Sequence, residues 1–204
     1  MPALGILAFG SLLDDPGSEL AALVVERRPT RTPFAVEFAR RSGTRGGAPT
    51  LVPVRAGGAN VNAQVLVLQN DVSETAAADV LWRRETRQRI GSKERYRPSA
   101  PWSPDRVRVA RRRNLVGVDT VLYTRITPNI RRRTPSALAR LALSSARAPD
   151  VLPEHNGIAY LLHAKANGIA TPLSGAYEAE ILRRTNTRSL AEALKKARAQ
   201  QVMR

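Results

Sequence analysis

Gly10-Ser11-Leu12 follow directly on the short apolar run Leu4 to Phe9. A strand that ends in Gly-Ser turns sharply and presents consecutive backbone N–H groups. Such a turn forms a small nest suited to a carboxylate, and Ser11 adds a hydroxyl. A candidate base stands at Glu85. On a helix it shares a face with Leu81 and Trp82, and with Ala78 one turn earlier. It therefore continues an apolar stripe while Arg83, Arg84 and Arg87 point elsewhere. A carboxylate on a core-facing stripe costs free energy unless it is paired, hydrogen-bonded or kept for chemistry. Desolvation there strengthens it as a general base, whereas a salt bridge to a neighbouring arginine works in the opposite direction. The helix alone weighs the two evenly.

Other polar groups promise less. Tyr96 lies just beyond that helix, placed to pack or to hydrogen-bond a ligand or Glu85. His155 and His163 are eight apart, without metal-ligand spacing, and suit surface or capping roles. The chain has no cysteine, which excludes disulfides and thiolate metal sites. The arginine runs 111–113 and 131–133 carry no interleaved aromatics and read as solvated.

The elements that must position these residues follow from apolar spacing and turn residues. Leu4 to Phe9 reads as a buried strand, and Ser18 caps a short helix through Leu23. Phe34 to Ala39 and Thr50 to Val54 read as strands about a Gly/Arg-rich turn, with Pro53 marking an edge or bulge. Val61 to Leu68 is apolar enough to be a central strand. A helix capped by Asp71 or Ser73 runs to about Arg89, where Gly91 ends it. A proline-punctuated loop leads to a strand pair, Val107 to Val109 and Val116 to Ile126. Four expected helices follow or close the chain: one after Thr134-Pro135, one from His155 to Ala166, one opened by Thr171-Pro172-Leu173, and one capped by Ser189. The order of strands, one inserted helix and then helices is that of an α+β protein.

The 204 residues suit one domain, or one domain with a helical tail. Apolar residues make up 43% and aromatic ones only 4%, so Leu, Val, Ile and Ala are expected to fill the core. No apolar run is long enough for a membrane span, and no signal peptide is read at the N-terminus, so the cytoplasm is the expected location. Lys and Arg number 33 against 17 Asp and Glu, a net charge of +16. Residues 83–113 hold twelve of the basic residues and three acids. That stretch attracts polyanions and anionic small molecules, although arginine-over-lysine usage with abundant alanine is also a mark of GC-rich bacterial coding.

Taken together, Phe9-Gly10-Ser11-Leu12, the strands through Val54, the strand Val61 to Leu68, and a helix bearing Glu85 with Tyr96 after it resemble the gamma-glutamylcyclotransferase-like family over about residues 4–126. The resemblance implies a small mixed β-barrel flanked by helices, with residues 1–130 as the core and 131–204 as a helical C-terminal extension packed on the same domain. It implies that the loop Phe9, Gly10, Ser11 and Leu12, with Tyr96, binds a γ-glutamyl substrate. It further implies that Glu85 removes a proton from the substrate α-amine, which attacks the γ-carbonyl and leaves 5-oxoproline. No metal or organic cofactor is implied. Phe9 stands where the family has tyrosine. The expected partner is a small γ-glutamyl molecule, in a monomer or homodimer away from membranes. The alternatives are a non-catalytic module for small anions and a polyanion-binding protein, with nucleic acid the less favoured partner. The enzymatic reading expects Ser11 and Glu85 to face one cavity.

Overall fold

The computed structural model describes residues 3–101 and 103–202. It is a mixed α+β structure that separates into two compact units. The first comprises residues 1–32 and 62–127, the second residues 33–61 and 128–204. Residues 33–61 thus cluster with the C-terminal helices, a grouping with no counterpart in a linear boundary at residue 130.

The first unit is built on a five-stranded sheet. Its strands are β1 (Leu4–Ala8), β2 (Val24–Arg31), β5 (Asn62–Leu68), β6 (Arg108–Leu115) and β7 (Val118–Arg125), in the order β2-β5-β1-β7-β6. β1 is central, buried along its whole length, antiparallel to β5 and parallel to β7. Gly5 sits where a side chain would collide: a Cβ there would lie 2.6 Å from Val65 Cγ1 and 3.1 Å from the Leu66 carbonyl oxygen. Two helices complete the unit, α1 (Ser18–Ala21) and α2 (Glu74–Glu85). Ser73 rather than Asp71 caps α2, its hydroxyl accepting from the Ala76 N–H at 3.2 Å.

No closed barrel forms among the described residues, because no backbone pairing joins β2 to β6. The sheet nevertheless curls. Arg28 on β2 donates to the carbonyls of Val116 and Gly117, in the turn between β6 and β7, at 3.1 and 3.2 Å. The sequence reading found no β2, and the reason lies in its surface. Most of its residues are exposed, it carries Glu26, Arg27, Arg28 and Arg31, and Pro29 interrupts it. Charges and a proline are what an edge strand uses to discourage further pairing, and they erase the alternation that betrays a strand.

The second unit pairs β3 (Val36–Ser42) with β4 (Ala48–Pro53) as a separate ribbon and adds α3 (Pro135–Ala146), α4 (Gly157–Ala166), α5 (Ser174–Thr185) and α6 (Leu190–Val202). Helix α3 packs on the other three helices and on β4. Three of the scarce aromatics meet here: Phe38 contacts Tyr177 edge-on at 5.3 Å and Tyr160 at 6.3 Å between ring centroids. Two helix starts differ from expectation. α4 begins at Gly157, not at His155, with Asn156 as its cap, taking the N–H groups of Ile158 and Ala159 at 3.0 Å. α5 begins at Ser174, after the Thr171-Pro172-Leu173 turn.

That turn is held by a carboxylate the sequence reading passed over. Glu37 on β3 is fully buried. It accepts hydrogen bonds from its neighbour Phe38 N–H at 2.7 Å, from the Thr171 hydroxyl at 2.6 Å and from the Leu173 N–H at 3.2 Å. A buried carboxylate is tolerable when several donors replace its water. Glu37→Gln replaces an acceptor with an amide donor facing those donors, and is expected to lower stability by about 1–3 kcal/mol, the cost of leaving buried polar groups unsatisfied. Urea unfolding of wild type and variant measures this. A variant as stable as wild type would remove Glu37 as the anchor of α5.

Candidate functional site

The loop after β1 and the end of α2 meet in the first unit. Gly10 has φ +61°, a left-handed conformation that glycine adopts without strain, and residues 10–12 form one 3₁₀ turn. The first N–H groups of a helical turn, here those of Gly10 and Ser11, have no partner inside it. The loop is fixed through its carbonyls. Arg27 donates to the Leu13 oxygen at 3.0 Å, and Arg84 donates from Nε to the Asp15 oxygen at 3.1 Å. A further Arg84 nitrogen lies 3.5 Å from the Ser11 oxygen.

The same guanidinium serves Glu85. Arg84 Nη1 donates to Glu85 Oε1 at 2.9 Å. The other carboxylate oxygen, Oε2, has the Thr124 hydroxyl of β7 at 3.5 Å, the long limit of such a contact. The Glu85 side chain keeps 26% exposure, less than its position at the end of a helix would suggest, while Leu81 beside it is fully buried. Ser11 and Glu85 are thus linked through one side chain.

Arg83 and Arg84 are held close to the fold, with side chains only 16% and 19% exposed. α2 stops at Glu85, so its last turn lies where long arginine stems can fold back on α1 and on the loop. Arg83 pairs with Glu19 of α1 at 2.8 Å, and Glu19 also accepts the Gly91 N–H at 2.9 Å. Arg87 adopts φ +53° just past the helix, and burial together with the nearby Arg84 charge lowers its proton affinity.

Tyr96 lies elsewhere. Its N–H donates to Asp79 at 2.8 Å and its hydroxyl faces the Val109 carbonyl at 3.4 Å, rather than Glu85. Asp79, buried on α2 and missed by the sequence reading, ties the returning loop to the helix. Its only sequence signal is a carboxylate two residues before the buried Leu81. Phe9 is half-buried at the end of β1, in extended backbone. His163 is exposed and His155 half-buried, its carbonyl accepting from Arg45 at 3.3 Å. No group of three or more His, Cys, Asp or Glu able to hold a metal occurs among the described residues. Among them, too, no helix is long and apolar enough to cross a membrane. Arg111 to Arg113, Arg131 and Arg132 are exposed, and Arg133 is half-buried.

The Glu19 clamp has a pH signature. The Gly91 N–H, and then Arg83, hold the Glu19 carboxyl below the ordinary value of 4.5. A depressed carboxyl adds stability that is fully present above the ordinary value and is lost as pH falls through the folded one. Wild type should therefore lose stability below about pH 4.5 more steeply than Glu19→Gln, in melting temperatures taken from pH 6 to pH 3. Parallel profiles would show that the clamp carries no folding energy. No family model matches the chain, and neither a curated protein nor a solved structure does so.

Proposed function

We propose that the chain is a gamma-glutamylcyclotransferase-like enzyme that releases 5-oxoproline from a γ-glutamyl amine or amino acid. The observation that carries this reading is the reach of one side chain: Arg84 contacts both the Ser11 carbonyl and the Glu85 carboxylate, so loop and glutamate lie within one guanidinium of each other. The barrel that the resemblance implies corresponds in this reading to the curled five-stranded sheet, left open between β2 and β6.

The substrate α-carboxylate binds at the first N–H groups of the Gly10–Leu12 turn. It competes with Glu85 for Arg84, whose planar guanidinium suits a carboxylate. Glu85, released from that pair, takes a proton from the substrate α-ammonium. The free amine attacks the γ-carbonyl carbon, forming the ring C–N bond. The bond from that carbon to the leaving amine then breaks: Glu85 returns its proton to the departing nitrogen and carries across the second proton that the ring nitrogen gives up, so that a lactam N–H and a leaving ammonium result. Atoms balance without water, and no electron is transferred to or from the substrate. Because the nucleophile belongs to the same molecule, holding it against the carbonyl supplies much of the rate. Glu85 Oε2, with only the long Thr124 contact, is the oxygen placed for the proton.

A second reading, a non-catalytic small-anion module, draws on the same pair. Arg84 already neutralises Glu85 at 2.9 Å, and Phe9 lacks a hydroxyl. An assay of 5-oxoproline release across γ-glutamyl amino acids and amines separates the two. The enzymatic reading expects turnover by wild type and a loss of about 10²–10⁴-fold in kcat for Glu85→Gln, the usual worth of a general base, with KM changed much less. Melting temperature should fall only slightly, because the Glu85 pair with Arg84 is partly exposed and Arg84 keeps the Asp15 carbonyl. No turnover with any member of the panel, or a clear drop in melting temperature with activity intact, would favour the module.

A further inference from the structure

The positive charge of the second unit is not spread evenly. Residues 38–61 and 128–149 contain no Asp or Glu and nine arginines. The fold stacks these two acid-free segments on each other. The Asn129 and Ile130 N–H groups both donate to the Ala39 carbonyl at 3.0 Å, and the Arg41 N–H donates to Asn129 Oδ1 at 2.7 Å. From there the chain runs back along the β3–β4 ribbon. Arg133 reaches the Ala56 carbonyl at 3.5 Å, beside Arg55 and close to where Val54 N–H meets the Ala35 carbonyl. Residues 129–133 extend at most about 13 Å. Arg41 stands at one end of that path, Arg131 and Arg132 along it, and Arg133 and Arg55 at the other.

Arg41, Arg55, Arg131 and Arg132 are exposed, and none of the five forms an ion pair among the described residues. The contrast lies in the other unit, where Arg28, Arg83, Arg84 and Arg111 each meet a carboxylate. Five arginines gathered on one path without a counter-ion repel one another, an arrangement that folding does not need and that a row of phosphates relieves.

We propose that this stripe is a binding surface for the phosphate backbone of duplex nucleic acid. Arginine pairs with phosphate through two parallel N–H groups, and a duplex carries a charge about every 1.7 Å of its axis, so the stripe faces several phosphates at once. The stripe offers no stacking platform for unpaired bases: Phe38, the one aromatic residue in these two segments, is buried. Nor does it offer an apolar face for a lipid surface, since Leu152 is the single large apolar side chain exposed in this unit among the described residues. Binding is set by the backbone and is indifferent to base sequence.

The test is fluorescence anisotropy of the full chain with a labelled 20-base-pair DNA duplex and an RNA duplex, titrated across salt. Wild type should bind both, or one of the two, with a steep log–log salt dependence. The triple variant Arg41→Ala, Arg131→Ala, Arg132→Ala should bind at least tenfold more weakly, with a slope shallower by about 3, close to one per lost phosphate contact. The charge-matched variant Arg108→Ala, Arg112→Ala, Arg113→Ala should stay near wild type. Melting temperature checks that each variant folds, and Arg132→Glu alone, at an exposed position, decides the matter if the triple variant does not fold. No duplex binding by wild type would overturn the proposal. So would equal losses in the two triple variants, tighter binding to single strands, or binding to anionic phospholipid vesicles alone.

Discussion

A single guanidinium, that of Arg84, holds the last turn of α2 against the loop that follows β1. It occupies the carbonyls of Ser11 and Asp15 on one side and the carboxylate of Glu85 on the other. The neighbouring contacts serve the same end. Arg83 with Glu19 fixes α1 and the turn at Gly91, Asp79 fixes the loop at Tyr96, and Arg27 fixes the carbonyl of Leu13. Each leaves one more piece of irregular chain with a defined place relative to α2. Glu85 therefore sits at the end of a helix that several partly buried polar contacts keep from drifting, on a sheet whose central strand is fully buried.

Two glutamates of this chain lie among apolar residues of the fold, and the structure gives them opposite situations. Glu37 is fully buried and has three close donors. Nothing can approach it, and its free energy is spent on anchoring α5. Glu85 has one strong partner, one oxygen with only a distant hydroxyl, and a quarter of its side chain open to water. Only the second arrangement leaves a carboxylate able to exchange its partner for a ligand. Burial alone would have selected the wrong residue.

What the sequence revealed follows the strength of local signals. β1 is a continuous apolar run and β5 ends in one over residues 65–68, and α2 and α3 have a capping hydroxyl, so all four were legible. β2 was not, because an exposed edge strand carries charge and proline where alternation would be read. The grouping of β3 and β4 with the distant helices was equally out of reach, since it rests on contacts such as Glu37 with Thr171 across more than a hundred residues. At the site, the loop and Glu85 were legible by type. The role of Arg84 was not: helical spacing turns it away from the stripe, but the helix ends at once and its long stem folds back. The acid-free segments were visible in the sequence only as two separate arginine-bearing stretches, and their adjacency belongs to the fold.

The central claim is that the Gly10–Leu12 loop and Glu85 form one ligand site. It is tested most directly by amide NMR of the isotope-labelled chain titrated with 5-oxoproline. The account predicts saturable shifts concentrated at Gly10, Ser11 and Leu12, at Arg84 and Glu85 on α2, and at Thr124 on β7, with no comparable change along residues 129–133. Shifts confined to the loop with Glu85 and Thr124 silent, or shifts gathered at the arginines of the second unit, would contradict it.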